Sequence, residues 1–143
     1  MLRLNINNET SRLRAVILGI AKSNGGVPKL EDCYDPKSID HVLAGSYPKE
    51  QDMVSEMEAV VQVFKKYDVQ VFRPEVIEDY NQIFSRDIAF VIEDTFIEAN
   101  ILPDREREYK AIEKVISQIN PKKIVILPKE CHVEGGDVVP WNE

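Results

Sequence analysis

The sequence predicts an α/β fold assembled from strand-strand-helix-strand modules, about two to two and a half of them, on three observations. Short β-branched apolar runs recur along the chain. Two longer stretches between them carry apolar residues at helical spacing. Glycine, proline and polar clusters separate these runs, as they do where strands and helices alternate.

Leu13-Arg14-Ala15-Val16-Ile17-Leu18-Gly19 reads as a first, mostly buried strand closed by glycine. Residues 22–47 hold Gly25, Gly26, Pro28, Pro36 and Gly45 among polar residues and read as a long connection, in which Asp35-Pro36-Lys37-Ser38 opens a short helical turn. From Pro48 onward Met53, Val54, Met57, Val60, Val61, Phe64 and Tyr67 share one helical face. Glu50 and Asp52 at its start and Lys65 and Lys66 at its end suit the helix dipole. Residues 68–74 then alternate as a half-exposed strand stopped by Pro74.

The order repeats. Ile88–Ile92 and Thr95–Ala99 read as two strands joined through Glu93-Asp94, a hairpin. Pro103 suits a first helical position, and Tyr109, Ile112, Val115, Ile116 and Ile119 form the next apolar stripe, with Glu106 and Lys110 as an i,i+4 pair. Asn120-Pro121 ends that helix, and Lys123–Pro128 reads as a buried strand.

Bulk properties narrow the function. A chain of 143 residues is the size of one domain and buries a real core. With 43% hydrophobic and 30% charged residues and a mean hydropathy of -0.29 it reads as globular and soluble. A net charge of -7 argues against nucleic acid, since nothing here neutralises a row of phosphates. The densest basic run, Arg105, Arg107 and Lys110, is interleaved with Glu106 and Glu108. The N-terminus lacks an apolar targeting core, and Ala15–Ala21 is far too short to span a bilayer. Cys33 and Cys131 are too few for a disulfide framework, so the expectation is a cytoplasmic protein with reduced thiols, no membrane and no cofactor. Cys33, His41, Cys131 and His132 have no metal-ligand spacing, and no metal is expected.

Two motifs carry candidate chemistry: Phe84-Ser85-Arg86-Asp87 before the hairpin and Glu134-Gly135-Gly136-Asp137 after the last strand. Both place carboxylates at strand ends, where α/β proteins put binding groups. A Gly-Gly bend, through positive φ and close backbone approach, is what would turn Glu134 and Asp137 towards one ligand. From the residues alone other readings stand beside this one. Glu134 and Asp137 also suit a tight turn with two solvated acids, and Asp87 also suits an ion pair with Arg86 or a hairpin cap. If the acids converge, the matching ligand is a guanidinium, a planar cation whose forked N–H donors carboxylates accept.

Residues 9–18 resemble the opening strand of the amidinotransferase-like, or pentein, family, which includes arginine deiminases and dimethylarginine dimethylaminohydrolases. Tyr47-Pro48 with the following helix, Val71-Phe72-Arg73-Pro74, the Arg86-Asp87 strand, Arg105-Glu106-Arg107-Glu108-Tyr109 and Glu134-Gly135-Gly136-Asp137 are similar to successive segments of that family. The resemblance implies that residues 1–143 are a single N-terminal part of such a domain, a partial propeller of α/β modules about a pseudo-fivefold axis. It implies an enzyme that modifies guanidino groups, as amidinotransferase or as hydrolase, on a substrate such as arginine. In that pattern Asp87 and Glu134 are catalytic: Asp87 grips the substrate guanidinium and Glu134 orients a catalytic histidine. Asp87 and Asp137 bind substrate. The histidine and the nucleophilic cysteine belong to a C-terminal half, so the chain alone is expected to be a catalytically incomplete fragment, with a non-enzymatic guanidino-binding or regulatory module as the alternative. Cys131-His132 does not replace them, because neighbours in an extended segment project to opposite faces. Exposed module edges imply pairing with that half or a homo-oligomer.

Overall fold

The structure, a computed structural model, describes residues 1–33 and 35–141. Its first unit is a β-helix-β crossover. Strand β1 (Ala15–Ile17) leads through a long connection to helix α1 (Pro36–Leu43) and helix α2 (Glu50–Lys66), and β2 (Gln70–Phe72) returns parallel to β1, with Val16 opposite Val71. The expected short turn at Asp35 is a helix of eight residues: the Asp35 carboxylate accepts from Ser38 N at 2.9 Å and Pro36 takes the first position. α2 carries Glu50 and Asp52 in its first turn and Lys65 and Lys66 in its last. Its apolar face is only shallowly covered: Val61 is buried, whereas Val60 and Val63 are exposed. One two-stranded sheet offers too little surface to cover five turns of helix.

The second unit repeats the crossover behind a hairpin. A single helical turn, α3 (Ser85–Ile88), runs directly into β3 (Ala89–Ile92), which pairs antiparallel with β4 (Thr95–Glu98). Ile92 faces Thr95, and Glu93 takes φ 52° as the first residue of a two-residue hairpin turn. A 3-10 turn (Pro103–Arg105), helix α4 (Arg107–Ala111) and helix α5 (Glu113–Ile116) then carry the chain to β5 (Ile124–Ile126), parallel to β4. The single helix expected here is interrupted at Ile112, which is 1% exposed and anchors the core. Ile88, Phe96, Ile112 and Ile119 form that core, with Leu2, Leu4 and Ile124 against it.

Three further expectations are corrected. Ile88 ends a helical turn instead of opening a strand, because Ser85 and Ile88 are both drawn inward across one turn. β5 is not buried: the core reaches Ile124, while Val125 is exposed and Ile126 is 69% exposed. The expected Glu106–Lys110 pair is absent among the described residues; Arg105 pairs with Glu108 instead.

The two units are stitched by residues 82–85. Ile20 N donates to Gln82 O at 3.0 Å and Ser85 Oγ to Ile17 O at 3.1 Å. Gly19 permits this, since a Cβ there would lie 2.0 Å from Ile83 O. The N-terminal segment crosses the second unit through Leu2 N to Gln118 O and an Ile6–Glu93 bridge. Both sheets stand open, and no closed propeller forms among the described residues. Nor is any described helix long and apolar enough to cross a membrane.

Candidate functional site

Asp87 sits on a turn pinned at both ends. Ser85 is hydrogen-bonded to β1, and Ile88 is 2% exposed in the core. Arg86 points outward, its Nη2 donating to Glu9 Oε1 at 3.1 Å and to Val138 O at 2.8 Å. The ion pair between Arg86 and Asp87 that the sequence left open is therefore not formed. Adjacent residues on one helical turn diverge by about 100°.

The Glu-Gly-Gly-Asp segment folds as a 3-10 turn, Gly135–Asp137, packed on α3. Neither glycine takes positive φ, which corrects the expected reason for them. Their role is close approach. A Cβ on Gly135 would lie 2.1 Å from Arg86 O, and one on Gly136 would lie 2.7 Å from Asp87 Oδ1. This contact brings Asp87 and Glu134 to the same place. Asp137 lies at the far end of the turn, exposed, and its carboxylate makes no hydrogen bond to the described residues.

What Asp87 and Glu134 share is a guanidinium supplied by the chain itself. Arg105 Nη1 donates to Asp87 Oδ2 at 2.9 Å and lies 3.8 Å from Glu134 Oε1. Arg105 also forks onto Glu108, with Nε to Oε1 at 2.6 Å and Nη2 to Oε2 at 3.2 Å, and Nη2 donates to Phe84 O at 3.0 Å. The Arg105 and Glu108 side chains are 16% and 2% exposed. Burial alone would lower the Arg105 pKa; the hydrogen bonds to Glu108 and Asp87 outweigh it and hold the cation more firmly than usual. Burial pushes the Glu108 carboxyl up, Arg105 pulls it back, and the charges of Asp87 and Glu134 add to the rise. Its partner is always protonated and bound through two nitrogens, which favours the ionised form of Glu108 against that burial.

The sequence places Arg105 and Glu108 in a segment that resembles a helix of the family, but gives neither a role at the site. Their i,i+3 spacing at a helix start was the available signal. The remaining candidates make no side-chain hydrogen bond or ion pair to the cluster among the described residues. Cys33 Sγ donates to Lys29 O at 3.4 Å, and Cys131 and His132 are exposed. Two open cavities of about 330 Å³ each flank the second unit, one under Leu2–Asn5 and one against Ile88, Glu98 and Tyr109; neither is lined by Asp87, Arg105 or Glu134.

The fold is that of the amidinotransferases. The chain superposes on the inosamine-phosphate amidinotransferase StrB1 from Streptomyces griseus with a TM-score of 0.64 and 19% identity, over 87% of this chain and 43% of that one. It superposes on SxtG, an amidinotransferase from Microseira wollei in the saxitoxin biosynthetic pathway, with a TM-score of 0.62 and 20% identity, over 87% of this chain and 42% of that one. The chain thus spans less than half the length of these neighbours. No protein-family model matches the sequence, and no curated protein matches it significantly.

Proposed function

We propose that this chain carries the guanidinium-gripping part of a guanidino-group-modifying enzyme, with amidino transfer as the reaction class. One observation carries the reading: Asp87, Glu108 and Glu134 already surround a guanidinium, so the spacing and charge of these acids suit that cation. The shared fold supports the same direction.

A guanidinium carbon is a poor electrophile because its charge is delocalised. Carboxylates that accept its N–H groups fix the plane of the group and leave the carbon open from above. In the proposed reaction a cysteine thiolate forms a C–S bond to that carbon, and the C–N bond to the leaving amine breaks as the amine takes a proton from histidine. Attack by an acceptor amine then releases the thiolate and completes transfer; attack by water would make the enzyme a hydrolase. Asp87 and Asp137 contact the guanidino substrate and Glu134 orients the histidine. In this reading the thiolate and histidine come from polypeptide outside these residues: Cys33 is turned to its own loop, and Cys131 and His132 are exposed and make no side-chain hydrogen bond to Asp87 or Glu134 among the described residues.

Calorimetric titration of the chain with arginine tests this reading. The expected result is binding in the millimolar range, weakened in Asp87→Asn, with no turnover of arginine plus an amine acceptor. Equal affinity in parent and Asp87→Asn, or no binding at all, overturns the reading and leaves the acids as a structural cradle for Arg105.

A further inference from the structure

The two oxygens of the Asp87 carboxylate have different surroundings. Oδ2 accepts from Arg105 Nη1 at 2.9 Å. Oδ1 accepts no hydrogen bond from the described residues, and it lies 2.7 Å from the point where a Cβ on Gly136 would stand. Gly136 is exposed, so the space its missing side chain leaves opens to solvent. Arg105 is in turn held by Glu108 and by Phe84 O, which leaves it no freedom to release Oδ2.

The geometry points to Arg105 and Gly136 as positioning residues that make Asp87 a one-oxygen acceptor, with Oδ2 locked by Arg105 and Oδ1 presented to the guanidino ligand over Gly136. The inference rests on the guanidino reading above and deepens it. A carboxylate free at both oxygens accepts a guanidinium through two parallel bonds. Here Oδ2 is already engaged by Arg105 and Oδ1 is the uncovered oxygen, so the ligand is held through Oδ1 and not across both oxygens. Arg105 keeps the carboxylate from rotating. Gly136 matters for the atom it lacks: any side chain there covers the one free oxygen.

The test is a double-mutant cycle on arginine binding by the 143-residue chain, with folding checked by amide NMR spectra. Asp87→Asn addresses the guanidino reading itself: if it binds as the parent does, that reading falls and this one with it. If Asp87→Asn weakens binding, Gly136→Ala is expected to weaken it about tenfold or more, the loss of one charge-assisted hydrogen bond. Adding Gly136→Ala to Asp87→Asn is expected to do nothing further. Parent-like binding by Gly136→Ala, or losses that simply add, overturns the proposal while leaving the guanidino reading intact. Should Gly136→Ala fail to fold, Arg105→Lys carries the test. It keeps a cation beside Oδ2 but loses the fork, and it is expected to weaken binding in the parent background only. Equal losses in both backgrounds overturn the proposal.

Discussion

Arg105 Nη1 lies 2.9 Å from Asp87 Oδ2, joining the turn before the first hairpin strand to the turn before the second unit's helix, 18 residues apart in sequence. Glu108 completes the pair from the same side of the chain, and its near-total burial decides the energetics. A buried ion pair gives little net stability over an apolar pair, but removing one partner strands the other.

Arg105→Ala is therefore expected to cost about 3–5 kcal/mol, the penalty for an uncompensated buried charge, in chemical denaturation. Arg105→Met with Glu108→Leu is expected to recover most of that loss. A double variant as unstable as Arg105→Ala would show that the cluster stabilises through something other than charge pairing.

The glycines of the Glu134–Asp137 turn are expected to differ. In Gly135→Ala the new methyl meets a backbone carbonyl at 2.1 Å, which cannot yield without moving α3. The expected loss is at or above the upper end of the about 1–3 kcal/mol that overpacking costs. In Gly136→Ala the methyl meets only the tip of Asp87, and the loss is expected to be smaller. Thermal melts of the two variants give the order, and the reverse order would contradict the packing described.

Gln82 is 1% exposed and closes the 75–82 loop, its Oε1 accepting from Ile77 N at 2.8 Å and its Nε2 donating to Glu75 O at 2.9 Å. Gln82→Ala leaves two backbone groups without partners. A loss of about 1–3 kcal/mol is expected in urea denaturation. A neutral effect would mean that water satisfies both.

Burial, then the neighbouring Glu98 carboxylate, raises the Tyr109 phenol above its ordinary 10.0. Below that value both folded and unfolded phenols are protonated and the contribution to stability is complete. Above it the unfolded phenol ionises first, so stability is lost as pH rises. Between about pH 9 and 11 the parent is expected to lose stability more steeply than Tyr109→Phe, followed by denaturation at each pH. Tyr80, also raised, is common to both proteins and cancels. Parallel curves would place Tyr109 in a solvated setting.

Local patterns read well along the chain. The long amphipathic helix, the Glu93-Asp94 hairpin and the proline-bounded strands each depend on neighbours within a few residues, and their types followed from spacing and turn chemistry. Burial was read less well. Val125 and Ile126 have the composition of an interior strand, yet the core ends at Ile124. A β-branched run states its preference for a strand, not what lies across from it.

The acids illustrate the same divide. Their residue types, and their places beside strand ends, were already written in Phe84–Asp87 and Glu134–Asp137, because a motif is a local arrangement of the chain. That Asp87 and Glu134 meet over one cation, and that Arg105 supplies it with Glu108 as its further partner, came from packing α3 against the Gly-Gly turn. Contacts between residues distant in sequence depend on how elements dock, and docking is governed by shape and burial summed over the whole core, which no short stretch of residues encodes.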